Sequence, residues 1–140
     1  MLRKSWKLLY YLDTNIIIYS VKGTFTAIKE HFRKIPMQSI VIPDVVMAEI
    51  EYGAQKSQNY DNTIRIYTKF TDNFAKAEFD TKSAKVYGEI RSRLEKSGTP
   101  IGANDMLIAA IAMSNGGTLV THNTREFSRI QGLLVEDWTI

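Results

Sequence analysis

No cysteine occurs in the chain, so disulfides and thiolate metal sites are excluded, an absence that agrees with a reducing compartment. Only two histidines are present, His31 and His122, far apart and outside any HExxH pattern, and nothing therefore points to zinc. The P-loop, GxGxxG and GxSxG signatures are missing too, which removes the phosphate-cradling and serine-nucleophile classes that they announce. There is no run of about eighteen apolar residues, so no membrane span is expected. Met1 to Lys7 leads into a short strand rather than a signal-peptide core and cleavage site, and both features favour the cytoplasm. Internal repeats, low-complexity stretches and linkers are also lacking, and 140 residues suit one domain, read here as 1–140.

What is present looks like a folded protein: 44% hydrophobic and 24% charged residues leave no compositional case for disorder. The formal charge of +3 permits a polyanionic partner without demonstrating one. Leu8 to Leu12 reads as a short buried strand that stops on Asp13, and Thr14 or Asn15 can cap the helix that follows it. Thr24 to Lys34 has Phe25, Ile28 and Phe32 at helical spacing before Pro36 closes the segment. A β-branched run, Ser39 to Ile42, then meets Pro43, which suits the first turn of a helix from Asp44 to about Gln55. Further on, Asn59 to Phe70 is a helix, Phe74 to Phe79 a weak strand, and the segment from Asp80 a helix with Ala84, Tyr87, Ile90 and Leu94 on one stripe. Ser97 to Pro100 stops that helix. Met106 to Met113 is apolar on every side, hence a buried helix, ended by Asn115-Gly116-Gly117. Thr118 to Thr121 and Leu133 to Val135 complete the strands. Alternating strands and helices predict an α/β fold, a mostly parallel sheet covered on both faces.

Three acids stand out against this frame. On its own, Asp13 reads as a turn or cap residue, although it follows a strand at the edge where open α/β sheets bind ligands. Glu49 falls on the apolar face of its helix, between Val45, Val46 and Gly53, where a carboxylate is costly unless paired, protonated or bound to a cation. Asp105 is the only charge of the buried helix and lies in its first turn, where capping alone could explain it. Asn123 and Glu126 follow the strand ending at Thr121, at the same sheet edge as Asp13. Should these groups converge, the oxygen-only set suits Mg²⁺ or Mn²⁺ and phosphate chemistry. A phosphoaspartate enzyme built on Asp13 needs a second acid two residues on, as in haloacid-dehalogenase-type phosphatases, and Asn15 stands there instead.

The residues also carry a family resemblance. Leu12-Asp13-Thr14-Asn15, Ala48 to Gly53, Gly102 to Ala110 and Leu119 to Phe127, in that order, resemble a PIN domain, and more narrowly the VapC toxins of type II toxin–antitoxin systems. The resemblance implies a PIN-like three-layer α/β/α sandwich with a mostly parallel sheet of about five strands. It implies a Mg²⁺- or Mn²⁺-dependent endoribonuclease with metal held by Asp13, Glu49 and Asp105, and with a metal-activated water as nucleophile. Thr14 and Asn15 match the polar pair that orients the first acid or the substrate. Many PIN domains have an Asp where Asn123 stands, so either Glu126 supplies the fourth carboxylate or a second metal is held weakly. A homodimer and a cognate VapB-like antitoxin are implied as well. Lys22, Arg91, Arg93 and Arg125 are candidate phosphate contacts. A reading of another class is a PIN-like module that binds RNA or protein without cutting it. Clustered negative charge beside a polyanion argues against that module.

Overall fold

The computed structural model describes residues 8–140, so the reading of Met1 to Lys7 lies outside it. The first strand, β1 (Tyr10–Leu12), is hydrogen-bonded on both sides, to β2 (Ile40–Pro43) and to β4 (Thr118–Val120). Outside β2 lies β3 (Ala75–Ala77), and outside β4 lies β5 (Leu134–Glu136), so five parallel strands run in the order β3-β2-β1-β4-β5. Leu12 pairs with Val120, and Asp13 extends that ladder by donating its N–H to the Val120 carbonyl at 2.9 Å. The chain steps outward from β1 to β2 and β3, then returns to the other side of β1. Its carboxyl edge beside β4 is therefore a topological switch point, where a crevice opens in such sheets.

Helices supply every crossover. β1 leads into α1 (Thr14–Lys22) and α2 (Thr26–Lys34), and β2 into α3 (Asp44–Lys56) and α4 (Tyr60–Thr71). After β3 come α5 (Thr81–Lys96) and α6 (Ala103–Ser114), and α7 (Thr124–Phe127) separates β4 from β5. Leu12, Ile16, Ile17, Ile42, Val46, Ile108 and Leu119 are fully buried and join the sheet to the helices on it. The tightest joint is at Gly117, just before β4. A Cβ there would sit 2.3 Å from the Tyr11 ring and 3.1 Å from the Leu9 carbonyl oxygen, a space that admits only glycine.

Several expectations shift in detail, each for a local reason. Neither Thr14 nor Asn15 caps α1: Asp13 does, because its own carboxylate accepts the Thr14 N–H at 2.8 Å. α2 starts at Thr26, not Thr24, since Thr24 donates its N–H back to Tyr19 to close the end of α1. On α5 the buried position is Ser83, not Ala84. The Ser83 hydroxyl is satisfied by Asp80 at 3.0 Å and Ser114 at 3.2 Å, so it can be buried at no polar cost. α6 is buried at Met106 and from Ile108 to Ala112, but Leu107 is only half-buried and turns to the crevice. Among the described residues no helix is long and apolar enough to cross a membrane.

Candidate functional site

The crevice at the carboxyl edge is a cleft of about 690 Å³ lined from four parts of the chain: the start of α1, one face of α3, the first turn of α6 and the loop after β4. Asp13, Thr14, Asn15, Glu49, Asp105 and Asn123 all line it. Of the groups expected from the sequence to converge, Asp13, Glu49, Asp105 and Asn123 do so and Glu126 does not, with the first turn of α6 brought to the end of β1.

Asp13 is the most constrained of the acids, only 5% exposed. One carboxylate oxygen accepts the Thr14 N–H at 2.8 Å, and the other accepts the Thr121 hydroxyl at 2.7 Å. The buried Thr121 Oγ1 in turn accepts the Asn123 N–H at 3.0 Å, so one hydroxyl ties Asp13 to the loop after β4. Burial raises the Asp13 pKa; the bonds from Thr121 and Thr14 pull against that rise, and the charge of Glu49 adds to it. Asp13 is therefore both a cap and a wall of the cleft, so the two readings of it are compatible.

Glu49 does not face the apolar core. Val46 and Ile50 of α3 do, whereas Glu49 is half-exposed on the cleft side with Val45 and Gly53. The expectation that Glu49 lies on the apolar face is therefore corrected: it shares the cleft side with Val45 and Gly53, beside the stripe of buried Val46 and Ile50. The Thr14 hydroxyl donates to one Glu49 oxygen, and the Asn104 amide to the other at 3.2 Å.

Asp105 has no such support. Among the described residues its carboxylate accepts no side-chain hydrogen bond and meets no cation. Burial, followed by the charges of Asp13, Glu49 and Glu126, pushes its pKa up to about 6. Asn123 is half-buried and donates its amide to Glu126 at 2.7 Å, which leaves its own Oδ1 as an acceptor. Glu126 does not line the cleft; it stands behind Asn123 yet close enough to repel Asp105.

Residues 10–133 match the PIN domain. The chain belongs to the PIN-domain family. Among its relatives is the protein called tRNA(fMet)-specific endonuclease VapC in Shigella flexneri, 36% identical over 93% of this chain and 98% of that one. Ribonuclease VapC1 of Haemophilus influenzae strain R2866 is 38% identical over 94% of this chain and 99% of its own. The crystal structure of DNA-bound VapBC from Salmonella typhimurium superposes with a TM-score of 0.88 at 36% identity, covering 94% of this chain and 98% of that one. This PIN domain therefore sits in the VapC branch of its family, and the three-layer, five-stranded parallel fold is the expected one.

The donor set of the PIN cleft fits a hard divalent cation. Asp13, Glu49 and Asp105 offer only oxygen, none of them is in a salt bridge among the described residues, and Asp105 resists ionisation because of its burial and then of the charges of its acidic neighbours. Among the described residues no three of His, Cys, Asp or Glu stand together as a complete ligand cage. Mg²⁺, which keeps several waters and needs only one or two carboxylates, does not require one.

Sequence reasoning missed Thr121, Asn104, Tyr52 and Lys56. Thr121 and Asn104 carry no charge and acquire their roles only through contacts across the fold. The suggested phosphate contacts lie away from the cleft. Lys22, Arg91, Arg93 and Arg125 do not line the cleft, and Arg91 is paired with Glu95 at 3.0 Å. The cation that does line it is Lys56. His122 is outside the cleft as well, bonded to Asp137 at 3.1 Å and Thr139 at 3.0 Å, in keeping with a packing role.

Proposed function

We propose that this PIN domain, read as one unit over 1–140, is a divalent-metal-dependent endoribonuclease and the toxin of a VapBC-type module. The observation that carries this is the meeting of three carboxylates, from the end of β1, α3 and α6, in one cleft, none of them in a salt bridge among the described residues, on a chain whose relatives are called VapC ribonucleases. Asp13, Glu49 and Asp105 would hold Mg²⁺ or Mn²⁺. Such an ion, when bound, supplies a nucleophilic water at neutral pH and stabilises charge on the phosphodiester.

The remaining work falls to the chain itself. Thr121 and the Thr14 N–H fix both Asp13 oxygens, so that carboxylate is preorganised and needs no rearrangement when substrate arrives. Thr14 and Asn104 orient Glu49. Asp105 stays adjustable, with its charge repelled until a cation joins it. Asn123, backed by Glu126, presents an acceptor that orients water or a substrate hydroxyl, and Asn15 is exposed at the cleft for contact with the substrate. The VapBC neighbours support a VapB-like antitoxin as partner, and the family resemblance implies a homodimer in the cytoplasm.

Incubation of the purified protein with an RNA pool that includes transfer RNA tests this, with Mg²⁺ or Mn²⁺ added and with EDTA and Asp13→Asn as controls. Cleavage that needs both the ion and Asp13 is expected. Cleavage that survives both controls removes the metal–carboxylate mechanism.

A further inference from the structure

One stretch of the cleft wall is left unused by the carboxylate chemistry. Tyr52, Gly53 and Lys56 follow Glu49 at helical intervals on α3, so they share its face and line the same cleft. Tyr52 is 64% exposed. Lys56 Nζ lies 4.6 Å from the centroid of its ring, so the lysine covers one aromatic face. Lys56 is the only cation among the lining residues, and among the described residues it forms no salt bridge. Gly53 weakens the helix interior that contains it, yet no packing demands it: a Cβ there would meet nothing within 4 Å. The wall is bare at Gly53, beside an exposed aromatic ring and the positive charge that rests over one of its faces.

Those three features match the chemistry of one ligand, a single-stranded polyanion with flat bases. Aromatic side chains stack unpaired bases whatever their identity, and an ammonium engages phosphate as a point charge. A polyanion entering the cleft is repelled by Asp13, Glu49 and Asp105, and a cation on the same wall offsets that repulsion. Lys56 stands about 10 Å along the helix axis from Glu49, so the phosphate it reaches is a neighbour of the scissile one.

We infer that Tyr52, Gly53 and Lys56 form an RNA-docking ledge: Tyr52 stacks an unpaired base, Lys56 holds a flanking phosphate, and Gly53 lets the strand approach the helix. The inference rests on the ribonuclease reading above. The two side chains are positioning residues, and they act through where they hold the strand. A bland role exists for Lys56, since a cation in the last turn of a helix favours its dipole, but that role leaves RNA affinity unchanged.

The test compares wild type with Tyr52→Phe, Tyr52→Ala, Lys56→Arg and Lys56→Ala. KM and kcat are measured on transfer RNA and on a mixed RNA pool with Mg²⁺ or Mn²⁺, and the salt dependence of RNA binding is read by anisotropy in an Asp13→Asn background. Tyr52→Ala is expected to raise KM roughly 5- to 100-fold at nearly constant kcat, while Tyr52→Phe keeps the wild-type value. Lys56→Ala should lower the log–log salt slope of binding by about 0.7, and Lys56→Arg should restore it. An unchanged KM and slope in both alanine variants, with wild type cleaving normally, overturns the ledge and spares the ribonuclease. So does a fall in kcat that merely tracks lost thermal stability. If wild type neither binds nor cuts any RNA, both readings fall together.

Discussion

Replacing Asp105 by Asn should make the metal-free protein more stable while abolishing its nuclease activity. The carboxyl titrates near 3.8 when unfolded and at about 6 in the fold. A folded pKa raised in this way means that the group's contribution to stability is fully present below about pH 3.8 and is lost as pH rises towards 6. At pH 7.5 the full shift corresponds to about 3 kcal/mol against folding. Asp105 is only half-buried, so solvent screening reduces that to about 1.5 kcal/mol. Asn also gives up the favourable interaction of an anion with the α6 N-terminus, about 0.5 kcal/mol. The net expectation is a gain of about 1 kcal/mol, or a Tm higher by about 4 °C for a chain of this length. Thermal denaturation followed by circular dichroism in EDTA at pH 7.5 measures it. Repeating the scan at pH 4 supplies the control, because there the wild-type carboxyl is protonated in the fold and the advantage should nearly vanish. A variant no more stable than wild type at pH 7.5, or a gap of equal size at both pH values, refutes the electrostatic reasoning. Added Mg²⁺ or Mn²⁺ should raise the wild-type Tm more than the variant's.

Thr121→Val removes the hydroxyl that Asp13 accepts in a buried setting, and should cost about 1–3 kcal/mol in denaturant unfolding together with most of the RNA cleavage. Retention of full activity would mean that Asp13 does not need this clamp. Gly117→Ala forces a methyl into the Tyr11 ring and should destabilise by about 1–3 kcal/mol or more, read as a lower urea midpoint. Tyr11→Leu in the same background should recover part of the loss. Asn123→Asp restores an acid at the cleft and places it against Glu126. The expected result is a steeper dependence of activity on divalent-ion concentration, with tighter ion binding by isothermal titration calorimetry than wild type.

The strand-and-helix order could be read from the chain because both signals are local. Ile40-Val41-Ile42 before Pro43 can hardly be anything but a buried strand entering a helix, and the uniformly apolar Met106 to Met113 must be covered. Asp13 and Asp105 stood out for a related reason: each is a charge at the end of an otherwise apolar element, and Glu49 was marked out by the apolar residues beside it on the helical wheel. Boundaries slipped where a neighbouring element claimed a backbone group, as the end of α1 claims the Thr24 N–H through the Tyr19 carbonyl. The polar supports were invisible on the same grounds. Nothing in Thr121 or Asn104 taken alone announces a partner more than fifty residues away, because hydroxyls and amides are equally at home on any surface. The basic residues were hard to place for the converse reason. Charge can be read from sequence, but whether a lysine or arginine reaches the cleft depends on helix phase and on competing acids, and Glu95 had already taken Arg91.

The unequal support of the three acids follows from the competing demands on the cleft. If all three were clamped as Asp13 is, their mutual repulsion would be built rigidly into the fold, and the metal-free protein would bear it in full. If none were clamped, a cation would have to organise every ligand on arrival, at the entropic cost of three side chains. The observed arrangement divides the problem. Asp13 is fixed by two donors, Glu49 accepts from the Thr14 hydroxyl and the Asn104 amide, and among the described residues Asp105 is left without a donor and with its pKa pushed up to about 6. A proton on Asp105 is thus the natural stand-in for the cation, and ion binding should displace it. Isothermal titration calorimetry with Mn²⁺ at pH 6 in two buffers of different ionisation enthalpy reads that displacement directly, and should find a fraction of a proton released per ion that shrinks towards zero by pH 8. Equal heats in the two buffers at pH 6 would mean that Asp105 is already charged before the ion arrives, and that the repulsion inferred from its neighbours is relieved in some other way.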